Sequence, residues 1–217
     1  MKKHAYILVA ILIAAVPAAS AQSKKPIVGY VAGGYDMTLG TTSDYLDDGW
    51  EINGGVIFHP SPSGPIGIRL DLGYHAWDAT SELLQLGQAM TDNIRIDDGN
   101  GSVWSLTADA LWEFGGDGKV GGYVGVGIGG YKRRVELTQE VLQTGYICDP
   151  WWGWCYPAAT VGDVVTDSDT LTKFGYNAAI GITLPVGEGD LYFEARYHYM
   201  DSPTATEFLP IVIGYRF

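Results

Sequence analysis

LYFEARYHYMDSPTATEFLPIVIGYRF, residues 191–217, has a periodicity that decides how the rest of the chain is read. Leu191, Phe193, Ala195, Tyr197 and Tyr199 alternate with a set that includes Glu194, Arg196 and His198. After a polar break, Leu209, Ile211, Ile213, Tyr215 and Phe217 again take every second position. Successive side chains of a β-strand point to opposite faces, so a period of two marks a strand. The stretch therefore holds two strands, each apolar on one face, and the first carries ionisable groups on the other.

The pattern recurs upstream. Trp50, Ile52, Gly54, Val56 and Phe58 oppose Glu51, Asn53, Gly55 and Ile57. Ile66, Ile68, Leu70, Leu72, Tyr74 and Ala76 oppose Gly67, Arg69, Asp71, Gly73 and His75. Trp104, Leu106, Ala108, Ala110, Trp112 and Phe114 oppose Ser105, Thr107, Asp109, Leu111 and Glu113. Phe174, Tyr176, Ala178, Ile180, Ile182 and Leu184 oppose Lys173, Gly175, Asn177 and Thr183. YVGVGIGGY (123–131) sets Val124, Val126 and Ile128 against glycines, and a first strand near residues 27–35 fits either parity.

That reading gives eight strands. PSPSGP (60–65), GGDGKV (115–120) and PVGEGD (185–190) are compact turns. They alternate with longer, polar links at 41–49, 78–101, 133–169 and 201–207. Short turns on one side, long loops on the other and an even strand count are the signature of an all-β, antiparallel, up-and-down transmembrane barrel of an outer membrane.

The N-terminal end agrees. Lys2 and Lys3 precede an apolar run from Ala5 to Val16, then Pro17 and the small residues Ala19, Ser20 and Ala21. This predicts a secretory signal peptide over residues 1–21, with the barrel domain over 22–217. The run is 12 residues long, short of the ~20 a spanning helix needs. The net charge of −12 becomes −14 once Lys2 and Lys3 leave with the leader, which argues against nucleic acid as a partner.

Alternation alone fits a soluble barrel with an apolar core as well, so aromatic placement has to decide which face is inside. Trp50, Tyr74, Trp104, Tyr176 and Tyr199 fall near the long-loop ends, and Phe58, Phe114, Phe193, Tyr215 and Phe217 near the short-turn ends. Belts about eight residues apart on strands tilted ~40° lie roughly 20 Å apart in height, close to the ~25 Å apolar band of such barrels. Tyr and Trp favour the interface because the ring is apolar and its N–H or O–H wants water. The greasy face must then meet lipid and the ionisable face must line the lumen. Hydrocarbon offers no partner to a free strand edge, so the first strand must pair with the eighth.

With terminal Phe217 and apolar or aromatic residues at every second position before it, the quoted ending resembles the C-terminal assembly signal of outer-membrane barrels. The chain resembles the small eight-stranded outer-membrane β-barrel family, of the OmpA/OmpX-like kind, over essentially all of residues 22–217. The resemblance implies insertion from the periplasm into the bacterial outer membrane, with Tyr215 and Phe217 read by the barrel-assembly machinery. It implies contact with outer-membrane lipids and lipopolysaccharide. It does not fix an activity, since the family includes anchors, adhesins, small channels and lipid-modifying enzymes.

The candidate site residues fall in two places. Inside, Glu51, Asp71, Asp109, Glu113 and Glu194 face Arg69, Lys173 and Arg196, with His75 and His198. Eight-stranded barrels are just wide enough to be filled by side chains, so this network is expected to be a paired plug rather than an ion path. Buried charge without a partner costs several kcal/mol, so Arg69 and Arg196 should each reach a carboxylate. Gly125, Gly127 and Gly129 should leave room for them. His198 and Ser202, four strand residues or ~13 Å apart, do not make a nucleophile and base, so no enzyme activity is expected.

Outside, the stretch CDPWWGWC (148–155) brackets Trp151, Trp152 and Trp154 between Cys148 and Cys155. A thiol pair exported through an oxidising periplasm is expected to form a disulfide. The spacing is not the C-x-x-C of redox enzymes, and two sulfurs without a paired His make a poor zinc site. Such a staple would hold the indoles on an external tip, either to contact an extracellular ligand or to pack on the loop and the outer leaflet. The acidic clusters at 42–49, 95–99 and 161–169 match no regular calcium loop, so neither metal nor cofactor is expected.

Overall fold

The computed structural model describes residues 25–61, 63–90, 98–115, 119–148, 155–202 and 206–217, and of residues 87, 89–90, 139–148 and 155–169 the backbone alone. Eight strands form one closed antiparallel barrel in chain order: β1 (Ile27–Leu39), β2 (Leu46–Phe58), β3 (Ile66–Ala79), β4 (Asp98–Gly115), β5 (Gly121–Cys148), β6 (Cys155–Val186), β7 (Gly189–Met200) and β8 (Thr206–Arg216). Closure runs from Tyr30↔Arg216 to Leu39↔Glu207, and Phe217 N–H adds a bond of 2.9 Å to Gly29 O. Each strand edge is thereby paired, which a bilayer requires. Among the described residues no helix is long and apolar enough to cross a membrane.

Parity falls as the alternation requires. Ile52, Leu70, Leu106, Ile128, Ile180 and Ile213 are exposed on the outer wall, at 44 to 71 %. Their neighbours Glu51, Arg69, Asp71, Thr107, Asp109 and Glu194 are at 3 % or less. In β1, the strand of open parity, Tyr30, Ala32 and Asp36 point in, while Val31 and Tyr35 point out.

Local chemistry explains the short turns. Gly115 and Gly187 adopt φ of 69° and 66°, the left-handed region that a side chain disfavours, at the β4–β5 and β6–β7 connections. Val186 pairs with Gly189 across a two-residue loop. The β7–β8 ladder is interrupted between Ala195↔Ile211 and His198↔Phe208, where Pro210 has no N–H to give.

Two links differ from the sequence expectation. Residues 133–169 are largely not a loop: β5 and β6 stay paired from Gly121↔Thr183 out to Cys148↔Cys155, with one irregularity at Leu137/Thr138. Polar, Thr- and Val-rich sequence reads as loop when no apolar face is visible, yet cross-strand pairing does not need one outside the bilayer. The 78–101 link contains a helix, α1 (Ser81–Met90). Leu83 N–H donates to Thr80 Oγ1 at 3.3 Å, which starts the helix as an N-cap, and Glu82 complements its dipole.

Candidate functional site

The lumen is filled in three tiers. At the short-turn end Tyr30, Ile57, Leu111, Tyr123, Tyr192 and Val212 form one buried apolar cluster. At the long-loop end Leu46, Trp77, Val103, Tyr131, Met200 and Phe208 form another, and Leu83 of α1 packs on it from above. Most of the ionisable groups lie between.

Their pairing is dense. Arg69 Nε donates to Asp109 Oδ2 at 2.7 Å and its Nη1 to Glu194 Oε2 at 2.5 Å. Arg196 donates from Nη1 to Asp71 Oδ1 at 2.8 Å and from Nε to Glu194 Oε1 at 2.7 Å. Tyr123 O–H and Asn177 Nδ2 add bonds to Glu194 and Asp109, and Tyr30 O–H donates to Asp71. Glu194 thus bridges both guanidiniums. Charge-assisted bonds of this kind are about twice as strong as neutral ones, and they suit a site with no water to screen it. A Cβ on Gly127 would overlap Asp109 Oδ1, so the glycine face of β5 makes the space the ion pairs use.

Below this tier, Glu113 accepts from Arg216 Nη1 at 3.0 Å and contacts His59 Nε2 at 2.8 Å. The Arg216 guanidinium lies 4.4 Å from the Tyr123 ring centroid, a cation–π contact that covers the cluster above it. A cavity of about 320 Å³ opens here, between Lys25, His59, Glu113, Asp190 and Arg216. Above the ionic tier, His75 contacts Asp36 Oδ2 at 2.8 Å through Nδ1 and Ser105 Oγ at 3.2 Å through Nε2. His198 Nδ1 contacts Tyr131 O–H at 3.0 Å, and its ring stacks on Phe208 at 4.7 Å.

Of the residues expected in the lumen, Glu51, Arg69, Asp71, His75, Asp109, Glu113, Glu194, Arg196 and His198 are buried inside. Lys173 is not: it has inward parity, but it pairs with Tyr131 at the top of the wall and its side chain is exposed. Parity alone does not tell how far along a strand the lumen ends. His198 and Ser202 do not form a couple, since Ser202 Oγ lies 3.4 Å from Thr206 Oγ1 while His198 is held by Tyr131. Inward residues that the sequence reading does not name include Asp36, His59, Arg216 and Phe208, along with Trp77 and Tyr192. His59 continues the parity of Glu51 to Ile57, and Arg216 sits between two outward aromatics, so the alternation already pointed to both.

On the outer wall the long-loop belt is a run of touching rings. Trp50 and Tyr74 are 5.6 Å apart, Tyr74 and Trp104 4.9 Å, and Tyr176 stacks on Tyr199 at 4.8 Å. Phe58, Phe193 and Phe217 are exposed at the other rim. Cys148 and Cys155 face each other as the last register pair of β5 and β6. Trp151, Trp152 and Trp154 lie outside the described residues, as does the expected leader.

Residues 6–217 match the model of the family described as outer membrane protein beta-barrel domain. The chain belongs to this family. It is an integral β-barrel of the bacterial outer membrane, and its outer rings meet outer-membrane lipid. Among solved structures it is similar to Neisserial surface protein A, at 13 % identity and a TM-score of 0.56, over 88 % of this chain and 96 % of that one. This outer-membrane barrel is less similar in shape to a major outer membrane protein of Thermus thermophilus, at 13 % identity and a TM-score of 0.47 over 89 % and 100 %. For the attachment invasion locus protein Ail of Yersinia pestis the values are 12 %, 0.43, and 90 % and 99 %. At this identity the likeness to Neisserial surface protein A is one of fold alone. No curated protein matches the chain.

Proposed function

We propose that the barrel is an anchor whose work is done by what it holds outside the membrane, and that it neither conducts ions nor catalyses a reaction. The observation that carries this is the filled lumen: two apolar clusters with a closed Arg69–Glu194–Arg196 tier between them leave no role for a wide path. An ionic tier paired within itself fits a sealed cylinder, whereas conduction needs sites that bind weakly and exchange.

The displayed element is the β5–β6 hairpin. From Ile128, the register partner of Tyr176, β5 runs a further 20 residues to Cys148, or roughly 65 Å of strand. In this reading cleavage after Ala21 releases the mature chain, the barrel-assembly machinery takes the Tyr215 and Phe217 end, and the external rim meets lipopolysaccharide. Cys148 and Cys155 then form a disulfide. Register partners in an antiparallel pair are ~4.5–5.5 Å apart at Cα, within the range a disulfide spans. Closing this short loop would stabilise it by roughly 2–3 kcal/mol and hold Trp151, Trp152 and Trp154 ready to bind with little ordering left to lose.

Bacteria displaying the wild-type chain are compared for adhesion to matrix-coated surfaces with bacteria displaying the triple Trp→Ala variant, each with and without a mild reductant. Adhesion lost in the variant and weakened by reduction supports the reading. Equal adhesion at equal surface expression removes it.

A further inference from the structure

Six carboxylates are buried in the described lumen, Asp36, Glu51, Asp71, Asp109, Glu113 and Glu194, against three arginines. Each arginine has its ion-pair partners elsewhere: Arg69 pairs with Asp109 and Glu194, Arg196 with Asp71 and Glu194, and Arg216 with Glu113. Among the described residues Asp36 and Glu51 have no arginine within ion-pair distance, and both lie beside His75, whose Nδ1 is 2.8 Å from Asp36 Oδ2 and 3.5 Å from Glu51 Oε2. Both carboxylates keep a buried oxygen without a hydrogen bond, Oδ1 of Asp36 and Oε2 of Glu51, although the residues are 0 % and 3 % exposed. Two anions brought together in a dry site are costly unless a cation sits between them.

We propose that Asp36, Glu51 and His75 bind one divalent transition-metal ion, of which Zn²⁺ is the type, inside the barrel beneath the external aromatic cluster. One ligand atom from each residue lies within 4.8 Å of the others. Zinc–ligand bonds of ~2.0–2.2 Å in a tetrahedron put donors ~3.4 Å apart, so small side-chain adjustments complete the triad. One imidazole and two carboxylates suit zinc better than Mg²⁺ or Ca²⁺, which take all-oxygen sets.

The surroundings are those of a metal ligand. Ser105 Oγ, at 3.2 Å from Nε2, can accept that N–H and turn the Nδ1 lone pair toward the carboxylates. Asn53 Nδ2 donates to Glu51 Oε1, which leaves Oε2 as the oxygen beside His75. Asn53 Oδ1, buried and without a partner, is a further oxygen on the same inward face. Trp77 stacks on His75 with ring centroids 5.9 Å apart, and Phe208 lies edge-on at 4.7 Å. These rings close the site toward the outside, so the ion enters before the barrel seals and leaves slowly afterwards.

The test refolds the full chain into detergent with Zn²⁺ or with a chelator. The folded protein is then washed with chelator, and bound metal is measured by mass spectrometry. The proposal expects about one equivalent retained by the wild type and a drop of at least ~10-fold in Asp36→Asn and in Glu51→Gln. No zinc in folded wild type, which would mean that the site is balanced without a metal ion, overturns it, as does equal zinc in folded variants. Should the variants not fold, the zinc X-ray absorption spectrum of the wild type decides. One imidazole with oxygen neighbours supports the site, while sulfur or oxygen-only coordination overturns it.

Discussion

Arg196→Met removes the cation that serves two buried carboxylates and keeps most of the side-chain volume. Asp71 loses its 2.8 Å ion pair and keeps only the Tyr30 hydroxyl, and Glu194 loses Nε and Nη2 and keeps Arg69 and Tyr123. Arg196 is 2 % exposed, so water does not replace what is lost. Stripping one partner from such a pair costs ~3–5 kcal/mol, whereas the same change at a solvated pair costs ~0–1 kcal/mol. The two regimes do not overlap. Urea unfolding in lipid vesicles, followed by tryptophan fluorescence and by the heat-dependent shift on gels, reads the difference. Adding Asp71→Asn to Arg196→Met should restore at least ~1 kcal/mol, because the neutral amide no longer leaves an unpaired anion. A single variant within ~1 kcal/mol of wild type would refute the dry, paired lumen.

Gly127→Val drives a branched side chain into Asp109 and should lower stability by at least ~2 kcal/mol in the same assay, while Gly130→Ala, where an added Cβ meets nothing within 4 Å, should change it by less than ~1 kcal/mol. Equal tolerance at both positions would show that the β5 glycines do not make room for the ion pairs. In planar bilayers the purified chain should give no conductance above background at neutral pH, and discrete channels in wild type would count against the filled lumen.

Much of the wall was legible in the sequence because a bilayer imposes a hard rule: the outward residue must be apolar over the whole crossing. That rule made the parities of β2, β3, β4, β7 and β8 readable from residues such as Leu70 against Asp71 and Leu106 against Thr107. It failed at β1, where Val28, Tyr30 and Ala32 face in and Val31 and Tyr35 face out, because the lumen's lower tier is itself apolar. Asp36 was lost with that parity. The grouping of Asp36, Glu51 and His75 lies on three strands, and no spacing in the chain announces it. Lys173 shows the opposite limit, a residue of correct parity that stands above the lumen. The long hairpin has the sequence of a loop because the apolar signal stops where the membrane stops, while backbone pairing continues.

The most direct test of the inside-out wall is a spin-label scan along β4, in a chain with Cys148 and Cys155 replaced by Ser. Labels at positions 106, 108 and 110 should collide with oxygen, which dissolves in lipid, and not with an aqueous nickel reagent. Labels at 105 and 107 should be shielded from both. Greater nickel than oxygen access at the even positions, or oxygen access at the odd ones, would contradict the account.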